Sequence, residues 1–342
     1  MSKGSTPAAD GFAMPPEWAL HAGCYISWPY RKDLWIGYLK KVQKSYADVA
    51  KAINRFEPVT MLTPPSAVSE ARAHLGSDIE IFEVDLDDSW VRDNGPIFVT
   101  SDSEKVALVD FEFNGWGNRY TPYDKDNALP AALAKALSIR RYKAPMVLEG
   151  GSFYVDGEDT LLTTEQCLLN TNRNPHLSRE EIENTLADYL GISKVIWLGR
   201  GLHGSVTDGH VDGLACFVRP GVVMAASTKD PSDVNYPVLT DNLNRLRSTT
   251  DAKDRPIEII EMPLPNRREF ESQHICATYI NFYAPNGGIV APVLDAPNDA
   301  AALTVLRETF PDREVVGVNG VYIGLGGGSI HCITQQRPLG PR

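Results

Sequence analysis

Apolar positions along the chain follow two periods, one fitting helices and one fitting strands, and helical stretches recur at long intervals. The clearest helical signal is HLSREEIENTLADYLG at 176–191, where Ile182, Leu186 and Leu190 form one stripe at helical spacing. Ser178 with Glu181 reads as a capping box, Leu177 with Ile182 as a hydrophobic staple, and Gly191 suits the left-handed position after the last turn. Further helices are predicted over 39–56 (on Leu39, Val42, Tyr46, Val49 and Ile53), over a short stretch at 65–75, and near 129–137, 238–246 and 299–310, the last ended by Pro311. Between them, β-branched and alternating text predicts strands at 59–62, 79–85, 106–113, 160–164, 194–198, 221–227, 257–263 and 287–293.

Setting the short one aside, the later helices are centred about 50–60 residues apart, with several strands in each interval. That order predicts a repeated ββαβ-like unit arranged as a ring, not the one-strand, one-helix alternation of a doubly wound sheet. The competing expectation is an ordinary α+β domain without symmetry. No low-complexity linker or block of charge divides the chain, so 1–342 is read as one domain, with 1–13 as a flexible N-terminus.

Composition narrows the function. A chain of 342 residues that is 43% apolar and 23% charged can bury a large core. Its 33 Lys and Arg against 44 Asp and Glu leave a net charge of -11, which argues against nucleic acid or an anionic membrane and favours a small cationic ligand. There is no apolar leader and no run of about 18 apolar residues, so neither secretion nor membrane spanning is expected. Five cysteines, an odd number with no C-x-x-C pair, suggest free thiols in a reducing, cytoplasmic compartment, with no disulfide framework and no thiolate zinc site.

Four stretches place ionisable residues beside glycine or proline, as site residues on loops are placed: WVRDNGP (90–96), LEGGSF (148–153), TDGHVDG (207–213) and LGGGSIHCITQQRP (325–338). The glycines at 326–328 feed a short alternating run, not a helix, so they are no phosphate cradle; they leave the Cys332 thiol at a strand start. If 207–213 is a strand, His210 and Asp212 leave one face. They then read as a satisfied turn, as part of a metal site with Glu149 adding an oxygen, or as a general acid/base beside a binding carboxylate. Asp93 suits turn chemistry, and Glu149 follows an apolar strand where an acid needs a cation or donors. Carboxylates bind cations and a Cys/His couple performs covalent catalysis; together they fit hydrolysis at a guanidinium carbon.

At these residues the sequence closely resembles the agmatine deiminase family, within a guanidine-modifying superfamily that includes arginine and peptidylarginine deiminases. The likeness runs through MPPEW (14–18), FNGWGNRY (113–120), LEGGSF, LLNTNRNPHLS (168–178), GHVDG, CFVRPGVV (216–223), INFYAPNGG (280–288), PNDAAAL (297–303) and GGGSIHCITQQ. It implies a five-bladed α/β propeller of ββαβ units, the pentein fold, with the site on the central axis. It also implies Cys332 as nucleophile, His210 as general acid/base, Glu149 as the partner orienting His210, and Asp93 and Asp212 gripping the guanidinium. A bound cation and a protonated His210 are expected to lower the pKa of Cys332. Trp90, Trp116, Asp208, Gly327 and Gly328 are expected to touch substrate; Trp18 and Trp28 also lie near these loops. No metal or organic cofactor is implied, and related enzymes suggest a homo-oligomer, a dimer or tetramer. The implied reaction converts agmatine and water to N-carbamoylputrescine and ammonia, a step toward putrescine. Members acting on agmatine commonly carry an acidic run before GHVDG, whereas here Ser205, Val206 and Thr207 precede Asp208. Arginine or peptidyl arginine therefore stands as an alternative substrate, and a catalytically silent guanidino-binding protein as a third reading.

Overall fold

The computed structural model describes residues 5–103, 105–266 and 269–340. Five sheets share one plan. In each, two strands run parallel and are joined through a long helix: Leu39–Asn54, Asp124–Leu137, Arg179–Leu190, Tyr236–Arg247 and Asp299–Thr309. In four sheets a further strand pairs antiparallel with the first of the two. In the fifth, the isolated bridge Tyr283 to Val290 holds that place. This is the ββαβ order expected from the helix spacing, five times over, and the asymmetric α+β expectation is set aside.

Burial explains the pattern. Val222–Ser227 and Thr160–Thr164 are buried at every position, as strands covered on both faces must be, and so read as unbroken runs instead of alternating ones. Ser178 caps Arg179–Leu190 through the expected capping box, and Ile182, Leu186 and Leu190 are buried in one core cluster. Each such side chain stabilises the fold by about 1.5–3 kcal/mol. The helix at 236–247 likewise turns Leu239, Leu243 and Leu246 inward.

The two ends of the chain meet. The C-terminal strand Thr334–Pro338 pairs antiparallel with His21–Ser27, which continues parallel to Val59–Thr63 and Glu80–Glu83. The expectation of a flexible 1–13 is corrected for residues 5–13. Phe12 and Ala13 add a short strand to Ile97–Ser101, Phe12 is buried, and Asp10 accepts a 2.7 Å hydrogen bond from Tyr142 and pairs with Arg140 at 2.7 Å. A large buried ring with two such contacts outweighs the entropy of a free arm. Residues 1–4 lie outside the described residues. Among the described residues, no helix is long and apolar enough to cross a membrane.

Candidate active site

Each of the five units presents a short segment just ahead of its first strand, and these five segments meet. Asp93 sits on the helical turn Val91–Asn94, Glu149 directly before the turn Gly150–Ser152, and His210 and Asp212 at the turn Val211–Gly213. Cys332 sits on the turn His331–Ile333, and Asn281 lies two residues before Tyr283. Hydrogen bonds link neighbours around the circle. The Gly151 N–H donates to Asp93 Oδ1 (2.9 Å), Asn281 Nδ2 to the Asp212 carbonyl (3.1 Å), and the His331 and Cys332 N–H groups to Asn281 Oδ1 (2.9 and 3.3 Å). Arg92 Nε then donates to the His331 carbonyl (3.3 Å).

Two local expectations are corrected here. His210 and Asp212 do not lie on a strand, and Cys332 is one turn ahead of its strand. Short 3-10 turns win because the chain must leave the axis and enter a sheet within a few residues. The side chains converge all the same. A Cβ added to Gly151 would stand 2.7 Å from Asp93 Oδ1, 2.7 Å from His210 Nδ1 and 3.0 Å from Asp212 Oδ2. Glycine is required because these three polar side chains already fill this small volume. Gly151→Ala is therefore expected to lower kcat/KM about 100-fold by displacing them, while the thermal melting curve moves little; wild-type activity in that variant would contradict the placement.

Burial sets the charges. It pushes the Asp93 carboxyl up to about 7, with Asp212 adding to the push, against donation from Trp116 Nε1 (2.9 Å) and Gly151. Asp212 is also raised by burial, but His331 Nδ1 at 2.9 Å, with its charge, outweighs that and holds the carboxyl below its usual range. His331 in turn loses protons more readily through burial and Arg92. Glu17 at 2.7 Å and Asp212 prevail, and its imidazole is raised. The result is a buried chain in which Arg92 Nη1 meets Glu17 (3.1 Å), Glu17 meets His331, His331 meets Asp212, and Asp212 Oδ2 takes the Cys332 thiol (3.4 Å).

Cys332 and His210 depart from expectation. Burial pushes the Cys332 thiol well above its ordinary value, and Asp212 and Asp93 add to it. Burial lowers His210 despite Glu149 and Asp212. Burial thus works against both the thiolate and the imidazolium in the free protein. Glu149 Oε2 stands 3.9 Å from His210 Nε2, beyond hydrogen-bond reach, because its other oxygen is held by Arg173 Nε at 2.5 Å. Glu149 and His210 do group with Cys167 within 4.8 Å, a set that can in principle hold a metal ion. The Arg173 guanidinium on Glu149 disfavours a second cation there.

Two cavities meet at Cys332. The larger, about 450 Å³, includes His210, Asp212, Asn281, Val206, Thr207 and Gly327 in its wall. The smaller, about 130 Å³, is walled by Trp35, Trp90 and Trp116 with Asp88, Asp93 and Gly328. Trp90, Trp116, Gly327 and Gly328 all line these cavities. Asp208 does not: it lines neither cavity, and its oxygens are taken by Arg119 (3.0 Å), Asn172 (2.9 Å) and Arg173 (3.0 Å). Trp28 is fully buried away from both cavities. Sequence reading missed His331, Asn281, Glu17 and Arg173. Each lies inside a stretch already singled out, but nothing in the order of residues says which partner it meets.

A model of the Porphyromonas-type peptidyl-arginine deiminase family matches residues 13–338. The chain belongs to that family. Among its relatives in the family, the agmatine deiminase of Ectopseudomonas mendocina is 45% identical, over 98% of this chain and 97% of the relative. The solved agmatine deiminase of Enterococcus faecalis superposes with a TM-score of 0.95 at 39% identity, covering 98% of both chains. A dimethylarginine dimethylaminohydrolase, 14% identical with a TM-score of 0.52 over 93% of this chain and 100% of its own, shares the fold alone. Family members of this kind are C–N hydrolases with the pentein fold, and so is this chain.

Proposed function

We propose that the protein hydrolyses agmatine to N-carbamoylputrescine and ammonia, with Cys332 as nucleophile, His210 as general acid/base, and Asp93 and Asp212 holding the guanidinium. The observation that carries this reading is the thiol of Cys332, 3.4 Å from Asp212 and on one cavity wall with Asp93. A planar cation between two carboxylates fixes its own plane and offers its central carbon to sulfur from the side. The same cation neutralises the acids that push the thiol up, so binding itself favours loss of the Cys332 proton.

His210 takes the Cys332 proton as sulfur adds to the carbon, and the tetrahedral adduct expels ammonia as His210 hands that proton to the departing nitrogen. The bound product is an S-alkylthiouronium on Cys332. Water deprotonated by His210 adds to the same carbon, the C–S bond breaks, and the ureido product leaves with the thiol restored. Glu149 acts on His210 by charge across 3.9 Å, as a positioning group locked by Arg173.

The substrate choice is supported by what the walls lack: among the described residues, no Lys or Arg lines either cavity. The carboxylate of free arginine would meet no cation there, while a second positive charge meets acids. Ammonia release from agmatine, arginine and a peptidyl arginine tests this directly, with mass detection of the ureido product. Turnover of arginine equal to that of agmatine would overturn the substrate, and absence of ammonia from all three would favour the silent binder. Loss of activity in EDTA would revive the metal reading.

The carboxyl of Asp93 predicts a pH profile. Raised to about 7, it loses charge as pH falls through that value, so kcat/KM for agmatine should decline below about pH 7. A flat profile from pH 5.5 to 8 would contradict the assignment. We read the chain as one catalytic domain, a reading supported by the pairing of its two ends. Five unpaired cysteines support a reducing, cytoplasmic setting. The homo-oligomer rests on the family resemblance.

A further inference from the structure

Agmatine carries a second positive charge four methylenes from its guanidinium, and ahead of GHVDG the chain offers it the uncharged Ser205, Val206 and Thr207. Asp208 is spent on Arg119, Asn172 and Arg173. Among the described residues that line the two cavities, the carboxylates are Asp93, Asp212 and Asp88. Two of them hold the guanidinium. From this geometry, and resting on the deiminase reading, we infer that Asp88 receives the distal ammonium of the substrate and sets the preference for a dication.

Several observations converge on it. Asp88 lines the small cavity together with Cys332 and Asp93, so a ligand can touch the nucleophile and this acid at once. The wall between is made of Trp35 and Trp90, whose rings lie 5.8 Å apart, and of Trp116; such a wall suits a methylene chain, and indole faces favour a cation at its end. Glycine is needed opposite, since a Cβ at Gly326 would run into Trp35 and one at Gly328 into Trp90. The Asp88 carboxylate is under-compensated. It takes the Ser89 N–H at 2.7 Å, but among the described residues no Lys, Arg or His pairs with it within 4.0 Å. Burial raises it to about 6, with Arg31, Ser89 and Trp90 pulling the other way. Asp126, Tyr30 and Tyr46 are the other titratable groups that feel its charge.

The test compares agmatine with butylguanidine, which keeps the guanidinium and the chain and lacks the ammonium. Wild-type enzyme should favour agmatine in kcat/KM, and Asp88→Asn should shrink that ratio at least tenfold, mainly through KM. Equal loss on both compounds would overturn the inference while leaving deimination intact; no ammonia from either compound in the wild-type enzyme would overturn the deiminase reading itself. Should the variant fail to fold, the wild-type enzyme still decides. Asp93 and Asp212 serve both compounds alike, so only the tail contact changes the ratio with pH. It should fall about tenfold between pH 7.5 and 5 as Asp88 is protonated. A ratio constant over that range would overturn the assignment.

Discussion

Replacing Cys332 with alanine is expected to abolish ammonia release from agmatine, by about 10⁴-fold or more, while agmatine still binds. The two effects separate because different residues supply them. In the proposed binding mode the guanidinium is held by carboxylates from two other units, Asp93 ahead of Ile97–Ser101 and Asp212 ahead of Ala215–Arg219. Sulfur adds only the bond to carbon. Removing it also takes away a thiol that Asp212 and Asp93 keep neutral, so the carboxylates lose no partner charge. Calorimetric titration should find a dissociation constant within a few-fold of that for wild type, and a stopped assay no ureido product. Measurable turnover in the variant would remove Cys332 as nucleophile, and would direct attention to Cys167, which groups with Glu149 and His210 on the buried side.

The second large effect is expected at Asp212. Its charge is maintained deliberately by the fold: His331 donates to it from one side and is itself held by Glu17, which Arg92 supports. Asp212→Asn removes the negative charge beside the substrate and leaves the His331 imidazolium facing a neutral amide. Truncating one partner of a buried charge pair in a binding contact costs about 2–5 kcal/mol, equivalent to about one and a half to three and a half orders of magnitude in kcat/KM. Both KM and kcat should worsen, because Asp212 touches the cation and the thiol. Glu17→Gln acts at one remove and should cost about tenfold, with agmatine affinity falling as His331 loses its hold on Asp212. An Asp212→Asn enzyme with near-normal kcat/KM would refute the chain of contacts.

The helices were legible because each buries a stripe against its own sheet. Ile182, Leu186 and Leu190, with Ser178 and Gly191 at the ends, define Arg179–Leu190 to within a residue. The helix at 124–137 starts earlier than its apolar residues suggest, since Asp124 and Asp126 occupy its first turn. Several strands were not legible. Arg141–Val147 alternates exposed and buried positions, but Pro145 argues against a strand there, and Ala215–Arg219 is buried at four of its five positions, so it shows no period of two. The site residues were readable as types but not as partners. His331 stands next to Cys332 in sequence, yet its importance comes from Asp212, 119 positions away. Arg173 becomes visible only when it closes on Glu149, 24 residues before it. The same contact explains why Glu149 stands 3.9 Å from His210 and not hydrogen-bonded to it.

The strand Thr334–Pro338 that joins His21–Ser27 begins two residues after Cys332. The turn that carries Cys332 is therefore seated by the pairing of residues 334–338 with the strand at 21–27, and deleting 334–338 is expected to silence ammonia release as thoroughly as replacing Cys332.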